Sequence, residues 1–381
     1  MRWEKKARKS RLGRISDQQL LADAELMVDG VPTLAALILF GTQQALGRFL
    51  PQSEVVFEYR SNEVTGPPQQ RKEFRKGFFS WYEQIWQLID ARNDLQHYQE
   101  GLFIWDIPTF DESVVRELVL NAVSHRDYRL HGSVFIRQYP RRLEVVSPGG
   151  LPEGITVENI LWRHSPRNRR ICETFQRCGL VERSGQGMNR IFETCIRHGK
   201  PAPDFAHTDQ YQVSVALDGT VEDTRFVSML SKIANEEQEH FTTEHFLVLD
   251  SIYRTGKVDP RFEKALKQLL DLGLVERVRR GTFVLARRLY SGLGKQAQYT
   301  RRRGLSAETN KQLLLQHIRQ AGSMGAGMKE LMEVLPSLTR NQVYRLLRQL
   351  RDQGSIRSEG RTRSARWFVA DVDRSKGGDA I

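Results

Sequence analysis

The 381-residue chain contains no run of eighteen apolar residues, so nothing in it is long enough to cross a bilayer as a helix. Its opening, Met-Arg-Trp-Glu-Lys-Lys-Ala-Arg-Lys, leads into a polar segment rather than an apolar signal core. The cytoplasm is therefore the expected compartment, and no membrane partner is expected. Cysteine is scarce: Cys172, Cys178 and Cys195 form no C-x-x-C pair and have no matched histidines, which excludes a disulfide framework and speaks against zinc. They read as core thiols. The G-x-x-x-x-G-K-[ST] pattern is absent, so there is no P-loop motor and no expectation of DNA unwinding.

Acidic residues are the minority, 46 against 58 Lys/Arg, for a formal net charge of +12. Most of the surplus lies at one end, because residues 301–370 hold 14 Lys/Arg against 5 Asp/Glu. Such clustering suits a phosphate-facing surface, where each neutralised phosphate releases counterions. The plainer alternative is a solvated basic tail. The length exceeds what one hydrophobic core usually organises, which favours two or three domains.

Periodicity orders the chain as α+β. A polar helix is expected from Asp17 to Val28, followed by an apolar run from Leu34 to Phe40 that Gly41 stops. Val55 to Tyr59 reads as a strand. Phe78, Trp81, Tyr82, Ile85, Trp86, Leu88 and Ile89 recur at helical spacing and read as core. Thr109 with Glu112 three residues later forms a capping-box pattern, so a helix should begin there and run through Val123. Strands follow at 134–138 and 143–146, then a glycine loop at 147–152, a helix ending near Gly179, another after Gly187, and a strand from Tyr211 to Leu217.

Glu117, Asn121 and His125 are spaced by four and share one face of the 109–123 helix, with Ser124 beside them. Val115, Leu118, Val119 and Ala122 form the opposite face. A solvated face is the bland account, yet such faces usually carry Lys and Glu pairs rather than one acid, one amide and one imidazole. Two glycine turns follow: Ser147-Pro148-Gly149-Gly150 after a strand, and Gly185-Gln186-Gly187-Met188 at a helix start. Glycines let backbone amides approach an anion, and a helix N-terminus offers unpaired N–H groups. Taken singly, each is also an ordinary turn.

The order of these elements resembles the GHKL ATPases, the superfamily of gyrase, histidine kinases and MutL. More closely, R-E-L-V-L-N-A-V-S-H-R-D-Y, S-P-G-G-L-P-E-G-I-T, S-P-R-N and G-L-V-E-R-S-G-Q-G-M-N-R-I resemble the RecG-like, Schlafen-associated bacterial regulators, over roughly residues 30–220. The resemblance implies a GHKL-type ATP-binding α/β sandwich followed by two winged helix-turn-helix modules. It implies ATP and Mg2+ as cofactors and Glu117 as the acid that activates water. Asn121 would hold Mg2+ through the phosphates, with His125 beside it. Gly149 and Gly150 correspond to the adenine-side turn, and Gly185, Gly187 and Met188 to the phosphate-side loop. Where the superfamily places an adenine-contacting Asp, this chain has Ser147-Pro148. The family usually carries an AlbA-like Schlafen domain upstream, so that part is expected as a separate subunit or as missing from a truncated chain.

Residues 240–370 contain a faint repeat: Leu266, Leu269, Gly273 and Val275 recur 81 positions later as Leu347, Leu350, Gly354 and Ile356. Each copy reads as helices followed by a two-stranded hairpin, the winged-helix plan, at 240–290 and 306–370 with a basic linker at 291–305. Preceding them are a basic segment at 1–30 and the nucleotide domain at 31–220. Thr339 should cap a helix that buries Val343, Leu346, Leu347 and Leu350 and shows Asn341, Tyr344, Arg345, Arg348 and Arg351. Arg and Asn suit base edges in the major groove, so this is the expected recognition helix, with Arg361 and Arg363 in the wing along phosphates. Double-stranded DNA is the expected partner. Such modules also serve protein docking, and the first, less basic copy is left as a spacer or a contact with a second copy of the chain. The leading reading is a nucleotide-responsive transcriptional regulator. The alternatives are an ATP-hydrolysing component of a DNA-processing or defence assembly, with slow Mg-dependent turnover, and a nucleotide-free scaffold.

Overall fold

The computed structural model describes residues 16–63, 66–100, 103–181, 186–236, 241–303, 307–336, 338–360 and 365–370. The chain divides into two compact units, residues 1–272 and 273–381, and both mix helices with strands. Among the described residues no helix is long and apolar enough to cross a membrane.

The first unit begins with α1 (Asp17–Asp23), shorter than the helix expected to Val28. Strands β1 (Met27–Val28) and β2 (Val31–Pro32) take over, because Asp29 and Gly30 both adopt positive φ, the turn that an Asp-Gly pair favours in a two-residue hairpin. Thr33 and Thr42 then cap α2 (Leu34–Phe40) and α3 (Gln43–Phe49).

Strands β3 (Val55–Tyr59) and β4 (Gln70–Phe74) start the main sheet. After α4 (Tyr82–Asp90) comes a separate hairpin, β5 (Leu95–Glu100) with β6 (Phe103–Pro108). Helix α5 (Glu112–Ser124), β7 (Val134–Gln138), β8 (Arg142–Pro148), α6 (Arg169–Arg177), α7 (Gly187–Arg197) and β9 (Gln212–Asp218) follow. The mixed sheet runs β4-β3-β7-β8-β9, parallel only between β3 and β7. Burial alternates along β7 and β8, so Val134, Ile136, Leu143, Val145 and Ser147 share the inner face. That face packs with Val114, Val115, Leu118, Val119 and Ala122 of α5 in one core.

The cap of α5 differs from the expected capping box. Thr109 turns its hydroxyl to the Asp94 carbonyl, 2.9 Å away. Asp111 accepts from the amides of Ser113 and Val114 at 2.9 and 3.2 Å instead. A carboxylate there meets both the orphan amides and the positive end of the helix dipole, which a hydroxyl does not match.

Behind α5 lies Arg126, 1% exposed. Its Nη1 and Nη2 donate to the carbonyls of Asp127, Gln52 and Gly132 at 2.8, 2.7 and 2.5 Å, and more loosely to Leu130. Tyr128 stacks its ring 5.0 Å from this guanidinium and donates its hydroxyl to the Val123 carbonyl. Thus His-Arg-Asp-Tyr is a corner that ties the end of α5 to the chain before β3 and to the chain before β7. The unit closes with α8 (Thr224–Glu236), α9 (Thr243–Thr255), a 3-10 turn (Pro260–Phe262) and α10 (Glu263–Asp271).

In the second unit β10 (Val275–Arg279) and β11 (Thr282–Leu285) form a hairpin. The expected linker is instead helical, α11 (Arg287–Gly292) and α12 (Gln296–Arg303), because Tyr290, Leu293 and Tyr299 are buried despite the basic composition. The unit boundary between Leu272 and Gly273 falls inside the stretch 240–290 that the sequence assigned to one module. Then come α13 (Ala307–Ala321), β12 (Ala326–Gly327), α14 (Met328–Val334), α15 (Arg340–Asp352), β13 (Ile356–Glu359) and β14 (Arg366–Val369), with sheet order β12-β14-β13. Leu314, Ile318, Leu331, Val343, Leu347, Ile356 and Trp367 form its core. Gly273 and Gly354, the paired glycines of the repeat, both take positive φ between helix and strand.

Replacing Arg126 with Ala removes the donor shared by the Asp127, Gln52 and Gly132 carbonyls and leaves a void in the core, where a lost partner costs about 1–3 kcal/mol per unsatisfied group. Arg126→Ala is therefore expected to lose about 3 kcal/mol or more in denaturant titration, with Arg126→Lys recovering only part because one ammonium cannot span the same carbonyls. An unchanged midpoint for Arg126→Ala would show that the corner does not depend on this side chain.

Candidate functional site

A cavity of about 130 Å3 opens between α5, the inner face of β8 and β9, and the loop leading to α6. From α5 come Glu117, Asn121, Ser124 and His125, and from the sheet Val145, Ser147, Val213 and Val215. The loop adds Leu151, Pro152, Ile155, Ile160, Arg163 and His164, while Phe175 of α6 and Gly187 and Met188 of α7 complete the wall. The lining is apolar with a polar edge, which suits a flat ring held by a few oriented polar groups.

Spacing by four places Glu117, Asn121 and His125 on the cavity side of α5, where Leu118, Ala122 and Ser124 also line the cavity. Asn121 donates Nδ2 to Glu117 Oε1 at 3.3 Å and lies 3.9 Å from the Met188 sulfur. Helices α5 and α7 are in such close contact that a Cβ on Gly187 would land on the Glu117 carboxylate. Gln186, the N-cap residue of α7, makes no side-chain cap hydrogen bond to the first turn, which begins beside that carboxylate. Gly185, proposed for the same loop, lies outside the described residues.

The turn at 147–150 behaves differently from what an anion cradle needs. The Gly149 amide donates to the Tyr211 carbonyl at 2.6 Å and the Gly150 amide to the Gln210 carbonyl at 3.2 Å. Both donors are therefore used within the fold. Gly149 lines the cavity and Gly150 does not. At Gly149, φ is +96° and a Cβ would strike Asp127 and Arg167, so the turn requires glycine for close approach. Ser147 is buried and donates Oγ to the Ala122 carbonyl at 2.8 Å. The neighbouring carboxylate, Asp127, is taken by Arg129 at 2.7 Å, which holds it down at about 2.

Two residues of Ser-Pro-Arg-Asn were quoted in the sequence only as part of a motif, and the structure gives them work. Arg167 donates to the carbonyls of His125 and Gly150 at 3.1 and 2.8 Å. Asn168 Nδ2 donates to the carbonyls of Ser124 and Arg126 at 2.9 and 2.8 Å. Together they cap the open end of α5 and fix the glycine turn against it. Arg163 and His164 at the edge of the cavity, and the apolar lining, were also missed; no short-range pattern marks residues that meet only after folding.

Asn341, Arg345, Arg348 and Arg351 all lie on the exposed side of α15, and Arg361 and Arg363 fall outside the described residues. Thr339 begins α15, its amide and hydroxyl donating to Gln342 Oε1 at 2.8 and 3.0 Å.

Burial, with His164 and Arg167 nearby, pushes His125 down to about 4. Its Nδ1 is buried without a hydrogen-bond partner. Between about pH 4 and 6.5 the folded protein holds the ring neutral while the unfolded chain binds a proton, so this residue's contribution is present above 6.5 and is lost as pH falls toward 4. His125→Gln is thus expected to flatten the fall of the denaturation midpoint over that window relative to wild type. Identical slopes would show that His125 titrates normally.

Residues 131–217, covering β7 through most of β9, match the family described as "Putative ATP-dependent DNA helicase recG C-terminal". No functionally curated protein matches the chain. Among solved structures, the fold is similar to the crystal structure of the DIP2311 protein from Corynebacterium diphtheriae, with a TM-score of 0.60 and 19% identity over 96% of this chain. The chain spans 66% of that protein's length. The family match supports a RecG-like, ATPase-type domain at residues 131–217.

Proposed function

We propose that this chain binds ATP in the cavity beneath α5 and DNA through α15, as a nucleotide-responsive transcriptional regulator. The observation that carries the nucleotide half is convergence: Glu117, Asn121 and His125 on α5, just before the family-matched stretch, meet the end of β8 and the start of α7, both inside it, at one cavity. A mixed sheet with helices on the cavity side supports the GHKL-type reading of residues 31–220.

The apolar lining would take the base, and the uncapped amides of α7 would face the phosphates. Gly149 and Gly150 then shape the site rather than donate to the ligand. Among the described residues no group of three His, Cys, Asp or Glu could hold a metal ion. Mg2+ would therefore be shared, Asn121 supplying one protein oxygen and the phosphates and water the rest, and its chemistry would be charge neutralisation. The buried Glu117 carboxylate at the cavity wall favours a second reading, slow hydrolysis, in which that carboxylate takes the proton of the attacking water.

The DNA half rests on α15. Its apolar side is buried, its Asn341, Arg345, Arg348 and Arg351 side is exposed, and a strand pair follows, which supports the winged-helix reading of 306–370. Arg361 and Arg363, by sequence between β13 and β14, are proposed for phosphates.

Titration calorimetry with ATP, ADP and GTP, with and without Mg2+, is expected to show ATP binding that Asn121→Ala abolishes. Glu117→Ala should keep binding while losing hydrolysis. The absence of heat with every nucleotide would overturn the reading, and equal hydrolysis by wild type and Glu117→Ala would remove Glu117 from its role.

On DNA, Arg345→Ala is expected to cost about 1–3 kcal/mol on a selected duplex and little on random duplex, because only base contacts discriminate. Arg363→Ala should weaken both alike and make the salt dependence shallower. If deletion of 306–370 leaves affinity and salt slope unchanged, α15 does not bind DNA.

A further inference from the structure

The loop 151–165 has two working faces. Inward, Ile155, Ile160, Arg163 and His164 line the cavity. Outward, it is gripped by the segment 242–262. Trp162 donates Nε1–H to Glu244 Oε1 at 2.6 Å, a charge-assisted bond at the first turn of α9. Its indole lies 5.5 Å from the Phe262 ring, and the Arg261 guanidinium lies 5.9 Å from the indole and donates to the Glu158 carbonyl. An aromatic that is 44% exposed yet held by an acid, a ring and a cation is a fastening rather than core.

A second attachment keeps the segment in place independently. Helix α7 starts at the cavity with Gly187 and Met188, and farther along it Glu193 accepts from Thr243 at 3.1 Å while Arg197 stacks 5.7 Å from Phe246. The α9 segment therefore rests on two walls of one cavity, a helix and a loop. Of the two, the loop lacks regular secondary structure over 151–165 and is the wall that a ligand would displace.

We propose that loop 151–165 is a strap that transmits occupancy of the cavity to the 242–262 segment through the Trp162–Glu244–Arg261 fastening. The ligand-driven half rests on the nucleotide reading above. The mechanical half does not, since it concerns only whether the inner and outer faces of the loop move together. Because coupling is reciprocal, releasing the outer face must also alter affinity at the inner one.

The test is a double-mutant cycle in the full chain: wild type, Ile160→Ala on the inner face, Trp162→Ala on the outer face, and both. Amide hydrogen exchange across 242–262 is followed without nucleotide and with ATP and Mg2+. Without nucleotide, Ile160→Ala is expected to speed exchange in 243–255 by about 2- to 30-fold when Trp162 is present, and to have no such effect in Trp162→Ala. The same effect in both backgrounds, or none in either, overturns the strap. With ATP, wild type should change its exchange in 243–255 and Trp162→Ala should not, while calorimetry still shows ATP bound. A change of equal size in both overturns the role of Trp162. If ATP gives no heat with any of the four proteins, the nucleotide reading fails, and the ligand-free cycle still decides the strap.

Discussion

A buried guanidinium that, among the described residues, has no carboxylate hydrogen-bonded to it organises the first unit. Arg126 directs its Nη atoms to main-chain carbonyls drawn from before β3, from the turn after α5 and from the approach to β7, with the Tyr128 ring against its face. Carbonyl dipoles are fixed by backbone geometry, so they hold the cation only if all three segments are correctly placed. The end of α5, and with it His125, is thereby set relative to the sheet. Asn168 completes the arrangement by bonding the Ser124 and Arg126 carbonyls from the opposite side.

From that corner outward, α5 serves two purposes with one periodicity. Its Val114, Val115, Leu118, Val119 and Ala122 side builds the core, and its Glu117, Asn121 and His125 side faces a cavity to which Leu118 and Ala122 also contribute. Polar groups so close to a core are tolerated because each has a specific neighbour or a view of the cavity. The glycine turn contributes in a less obvious way. Its amides are spent on the 210–211 backbone, so what it offers a ligand is proximity rather than hydrogen bonds. Ser147 is likewise spent within the fold, on the Ala122 carbonyl.

The second unit obeys a simpler rule. Apolar residues at helical spacing on α13, α14 and α15 close over a short sheet with Trp367 at its centre, and everything cationic on α15 is left outside. A cluster of arginines on one helix face remains soluble and repelling until it meets opposite charge.

Much of this was legible in the sequence where one local rule dominated. The strands at 134–138 and 143–146 follow from alternation, the two faces of α5 and α15 follow from spacing by three and four, and Gly273 and Gly354 mark the helix ends of a repeat. Local rules failed where two competed. Thr109 carried a capping pattern, but the Asp94 carbonyl claimed its hydroxyl; the basic stretch 291–305 reads as linker until Leu293 and Tyr299 find a core. What only the tertiary structure decided is long-range: that the Gly149 and Gly150 amides are occupied, that Arg126 and Asn168 bond carbonyls far along the chain, and that Trp162 meets Glu244. Periodicity reports which side of an element is apolar, because neighbours three or four residues apart share a face. It carries no information on which distant carbonyl or carboxylate will come to lie within 3 Å, since that depends on how whole elements are stacked.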